Sequence, residues 1–82
     1  SIPAMPIAKM DGSSTQAVTF SSTTQSAALA ADTRFVRVVS DADCHIAAGS
    51  SPTATTRDLK LTAGSAEYFG VTPGHKIAVI AA

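Results

Sequence analysis

One run limits this chain's fold more than any other: Arg34-Phe35-Val36-Arg37-Val38-Val39. It is β-branched and aromatic, the composition that suits a pleated, half-buried surface. Read at period two, Val36 and Val38 share one face, and Phe35, Arg37 and Val39 share the other. Asp41-Ala42-Asp43 turns the chain, and Cys44-His45-Ile46-Ala47-Ala48 follows as a shorter strand. Gly49-Ser50-Ser51-Pro52 ends that strand and opens a polar loop over 49–56. Leu59 and Leu61 flank Lys60 at the same spacing, and Ala63-Gly64 turns again. Glu67-Tyr68-Phe69-Gly70-Val71 reads as a strand. Pro73-Gly74 is a tight-turn signal, because Pro presets φ and Gly accepts a positive one. Lys76-Ile77-Ala78-Val79-Ile80-Ala81 closes the chain as a strand.

Upstream, Val18 and Phe20 alternate with Thr19 and Ser21, which marks another strand. Gln25 to Ala31 is Ala-rich but too short to hold as an isolated helix, so a strand or single turn is expected. The fold class that follows is all-β: a small sandwich or barrel, jelly-roll-like, of six or seven short strands. The first sixteen residues read differently. Ile2-Pro3-Ala4-Met5-Pro6-Ile7 holds two prolines, which favour extended backbone over helix. Residues 1–16 are therefore expected as an extended N-terminal arm and 17–82 as a single β domain. Ile2, Met5, Ile7 and Met10 need cover, either from the domain's own core or from a neighbour. If the arm reaches a neighbour, deleting residues 1–10 would leave the β domain folded.

Composition bounds the function. The chain has 82 residues and zero formal net charge, so it carries no electrostatic footprint for nucleic acid or an anionic membrane. No stretch is long and apolar enough to span a bilayer. No basic region precedes an apolar run at the start, and Ser1 fits removal of an initiator Met, so cytoplasmic synthesis without a signal peptide is expected. The 45% apolar fraction includes sixteen alanines, leaving twenty large apolar side chains. That is a light core for a free-standing domain, and subunit contacts are expected to supply stability.

Chemistry-bearing residues are sparse. Asp41, Asp43, Cys44 and His45 cluster, but paired ligands at zinc spacing are missing, and only His75 adds a further imidazole. Adjacent strand residues Cys44 and His45 point to opposite faces, so they do not form a nucleophilic pair; Cys44 with His75 lacks an orienting third group. No nucleophile elbow and no phosphate-binding glycine loop are present. No catalytic residue, metal or cofactor is expected. Phe20, Phe35, Tyr68 and Phe69 are expected mainly in the core, with Tyr68 or Phe69 free to anchor an interface. Arg37 reads either as a solvated rim residue or as an ion-pair partner of an acid across the sheet or between subunits.

The ordered set Val36-Arg37-Val38-Val39, Cys44-His45-Ile46-Ala47-Ala48-Gly49, Ser51-Pro52-Thr53-Ala54-Thr55, Leu59 to Leu61, Ala63-Gly64, Glu67-Tyr68-Phe69-Gly70-Val71 and Pro73-Gly74-His75-Lys76-Ile77-Ala78-Val79-Ile80 resembles a family of small β proteins encoded among the structural genes of tailed bacteriophages. The resemblance covers Arg34 to Ala82. It implies a virion component, made in the host cytoplasm, without enzymatic activity. The expectation is a capsid decoration (cement) protein whose partners are the major capsid protein or other virion subunits. It would be a homo-oligomer, with a trimer suggested by shell symmetry, and no nucleic-acid or membrane partner. Ile2, Met5, Ile7, Met10, Arg37 and Tyr68 are the candidate interface residues. A tail or head–tail connector component is the alternative, and a small carbohydrate-binding module a more distant one.

Overall fold

The computed structural model describes residues 3–9, 15–20 and 22–82, with the side chains of residues 8, 9 and 15–17 left aside. The elements are β1 (Ala4–Lys9), β2 (Thr15–Thr19), β3 (Thr24–Gln25), β4 (Phe35–Val38), β5 (Cys44–Gly49), β6 (Leu59–Leu61), β7 (Glu67–Gly70) and β8 (Lys76–Ala81). They form two four-stranded antiparallel sheets. Sheet A has the order β2-β1-β4-β7 and sheet B the order β3-β8-β5-β6. After the β1–β2 hairpin the chain alternates between sheets, except for the β5–β6 hairpin within sheet B. This is a jelly-roll-like sandwich, not a closed barrel.

Period-two patterning places the core between the sheets. Sheet A contributes Met5, Ile7, Val18, Val36 and Val38, and sheet B contributes Cys44, Ile46, Leu61, Ile77 and Val79. Phe20 and Leu29 enter from the connections. Strand β4 alternates exposed and buried residues over its whole length, as its sequence requires.

Eight strands form, against six or seven expected, because the segment expected as an arm is itself a strand. β1 is an interior strand of sheet A: Met5 faces Val18 on β2, and Ile7 faces Val38 on β4. Met5 and Ile7 are 0% and 2% exposed, so the domain's own core covers them and neither is available to a neighbour. The prolines are accommodated through their carbonyls. Pro6 accepts from Val39 N–H at 3.3 Å and Pro3 accepts from Phe20 N–H at 3.1 Å. An interior proline costs one ladder bond; burial of Met5 and Ile7 outweighs it. Deleting residues 1–10 would therefore remove a central strand, not a free arm. Ile2 and Met10 lie outside the described residues.

Gln25 to Ala31 follows the strand-or-turn expectation only in part. After β3 the chain runs beside β8 without regular pairing: Ser26 N–H donates to Ile77 O at 2.7 Å and Leu29 N–H to His75 O at 2.8 Å. Ser26 Oγ accepts from Ile77 N–H at 2.9 Å, which satisfies a buried donor where the ladder lapses. Gly64 and Gly74 take φ values of +77° and +80° at the two expected turns.

Candidate interaction surface

The two outer faces of the sandwich differ in cover. On sheet B, the loop between β5 and β6 folds back over the strands. The Gln25 side-chain amide donates to Pro52 O at 2.7 Å, and His45 Nδ1 donates to Asp58 O at 2.9 Å. Ala54 N–H donates to Thr23 Oγ1 at 3.3 Å, and Ala54 is buried. The Asp58 carboxylate accepts from Thr55 N–H at 2.7 Å, which tightens the loop's last turn. Ala78 sits between Gln25 and Ala47 in the ladder, points to this outer side, and is fully buried.

Sheet A is open. Phe35 and Arg37 on β4 point outward, opposite Gly70 and Tyr68 on β7 respectively. Phe35 is 61% exposed and Tyr68 59%. A Cβ placed on Gly70 would lie 3.8 Å from the Phe35 ring, so the ring covers the glycine at the sheet edge. The structure thus brings together two candidate interface residues, Arg37 and Tyr68, as direct cross-strand neighbours. Arg37 is exposed on this face. Phe35 was expected in the core and is not there. The signal that could have placed it was its alternation with Val36 and Val38, which put it beside Arg37.

A further open feature lies between the sheets at their β6 and β7 edges. An apolar groove of about 160 Å3 is lined there by residues including Ile46, Leu59, Phe69, Val71 and Ile77. Leu59 and Leu61 share a face, but only Leu61 reaches the core; Leu59, at the groove mouth, is 55% exposed.

The chemistry-bearing cluster is taken up by structure. Cys44 is fully buried and points into the core, with His45 on the opposite face. Burial pushes the Cys44 thiol up from its ordinary value; the Asp43 charge adds to the rise and a hydrogen bond with Ser40 opposes it. A buried, protonated thiol is a poor nucleophile and a poor metal ligand. Asp41 Oδ2 accepts from Ala4 N–H and Asp43 Oδ1 from Ala63 N–H, so both acids brace turns. Asp43 also lies 3.8 Å from Lys60 Nζ. Among the described residues, no three His, Cys, Asp or Glu side chains converge in a way that could hold a metal ion, and no helix is long and apolar enough to cross a membrane. In comparisons with family models, with curated proteins and with solved structures, nothing matches this chain.

Proposed function

We propose that this protein is a bacteriophage virion structural protein, a capsid decoration subunit that docks through the outer face of sheet A. The observation that carries the reading is the exposed set Phe35, Arg37 and Tyr68 on neighbouring strands of one sheet face. Aromatic residues and arginine are the side chains that concentrate binding energy at protein interfaces. The residue resemblance to phage structural proteins supplies the partner class, and the jelly-roll-like sandwich is an architecture that recurs in capsid proteins. Fold alone does not assign function, so the weight rests on the face. Its mechanism is binding without chemistry: ligation of the assembled shell raises the free energy needed to separate capsid subunits.

The test is co-sedimentation of the full chain with shells of the encoding phage that lack it. The native protein should bind, and Phe35→Ser with Tyr68→Ser should weaken binding by roughly a hundredfold, the size expected for losing two interface anchors. Absence of binding by the native chain would overturn the decoration reading. Equal binding by the double variant would move the contact off this face. Binding to purified tails instead of heads would favour the tail or connector alternative. A carbohydrate-binding reading draws on the same two rings, since exposed aromatics can stack on sugars; a saturable change in Tyr68 fluorescence on adding an oligosaccharide would favour it.

A further inference from the structure

Among the described residues β7 has no partner on its outer edge; that edge is complementary to itself, and we propose that it joins two copies of this chain into a continuous eight-stranded sheet about a two-fold axis. The backbone decides the register. Val71 N–H donates to Arg34 O at 2.8 Å, and the β4–β7 pairing has Phe35 opposite Gly70 and Arg37 opposite Tyr68. Antiparallel ladders alternate between hydrogen-bonded and non-hydrogen-bonded pairs. Residues 67, 69 and 71 therefore spend their backbone groups on β4. The other side of the same strand agrees: Val39 and Asp41 N–H groups donate to β1, so the odd residues of β4 face β1 and the even ones face β7. Tyr68 and Gly70 are left with both N–H and C=O directed away from β4, at the free edge.

A two-fold axis perpendicular to the sheet and passing beside Phe69 brings Tyr68 opposite Gly70 of the second copy, and Gly70 opposite its Tyr68. Each pair exchanges two hydrogen bonds, giving four across the junction. Side-chain faces agree as well, because both residues point outward. The Tyr68 ring then lies against a residue with no side chain, as the Phe35 ring already does within one copy. On the inner side Phe69 meets Phe69 beside the apolar groove, and the exposed Leu59 at the groove mouth lies near that junction. Glu67 falls opposite Val71, so the two Glu67 carboxylates stand roughly 13 Å apart along the strands and do not clash.

The other edges with described side chains fit less well. β3 is two residues long, and β6 is three with Lys60 at its centre. Very short edges, and Lys or Pro within them, are how β proteins block pairing; β7 has four residues and neither Lys nor Pro, and its one charge, Glu67, falls at its first position. The second copy would extend the Phe35–Arg37–Tyr68 face onto one side of a doubled sheet. The proposal stands independently of what that face binds.

Sedimentation velocity on the full chain over a range of concentration tests it, with amide hydrogen exchange read residue by residue. The expected result is a reversible dimer, with the Tyr68 and Gly70 amides gaining protection as concentration rises. Gly70→Pro removes one edge donor per copy, at a position where an edge strand tolerates proline, and should weaken dimerisation by roughly tenfold to a hundredfold. Tyr68→Lys, which leaves the backbone unaltered, should weaken it too and serves if the proline variant loses its circular-dichroism spectrum. A chain that remains monomeric at millimolar concentration would overturn the proposal. So would a dimer insensitive to both substitutions, or one in which the Tyr68 and Gly70 amides exchange freely.

Discussion

Sheet B wears its own loop, whereas sheet A leaves two aromatic rings in water. Both sheets have the same strand number and share one core, so the difference lies only in what covers their outer faces. On sheet B, Gln25 and His45 spend side-chain hydrogen bonds on the backbone of residues 52 and 58, and Ala54 and Ala78 are buried. On sheet A, Phe35 and Tyr68 remain more than half exposed. Single exposed apolar residues are ordinary, but two on neighbouring strands of one face, beside an arginine, form a surface that association would bury. Sheet B's outer side is tied to its own loop, and the docking proposed above is confined to sheet A.

Substitutions can break or sharpen that contrast. The largest effect should come from the shared core. Met5→Ala should cost about 2–5 kcal/mol in urea unfolding, because it empties a fully buried site on an interior strand; a cost near zero would restore the free-arm reading of residues 1–16. Next comes sheet B's covered face. Ala78→Leu forces volume under the loop and should cost about 1–3 kcal/mol, with faster proteolysis between residues 50 and 58. Asp58→Ala, which frees the Thr55 N–H, should cost about 1 kcal/mol, and the loss should show as local opening of the loop in hydrogen exchange. On sheet A, Phe35→Ser and Tyr68→Ser should each stay within about 0.5–1 kcal/mol of the native stability. A loss as large as that of Met5→Ala would mean that the rings hold the fold and would remove the contrast.

The smallest effect at neutral pH concerns Cys44. Its thiol is pushed above the ordinary value of 9.0 by burial. Below that pH both folded and unfolded chains keep the proton, and the group's contribution is constant. Above it the unfolded chain releases the proton first, so stability falls as pH rises until the folded thiol also ionises. Unfolding measured from pH 7 to 10.5 should show a steeper alkaline decline for the native chain than for Cys44→Ala. The thiol should also resist alkylation until the chain unfolds.

Several features were legible from local pattern. The alternation of β4, the buried thiol with an outward imidazole on β5, and the glycines at both tight turns all depend on neighbours a few residues apart. Three others were not. Two prolines marked residues 4–9 as extended without saying what they would pair with, yet their carbonyls serve the ladder and Met5 and Ile7 supply the burial. Phe35 looked like core by residue type, although its phase beside Arg37 pointed outward. The polar segment 49–56 gave no sign that it would fold over its own sheet.

Residue order alone settled that this chain is all-β and where most of its strands turn, because period-two burial and the positive φ at Gly64 and Gly74 are local demands. Which outer face would be open was decided only in three dimensions. It depends on the hydrogen bonds from Gln25 to Pro52 and from His45 to Asp58, and on the placing of β7 at an edge. Those contacts join residues far apart in the chain, and their free energy exists only once both sheets have packed.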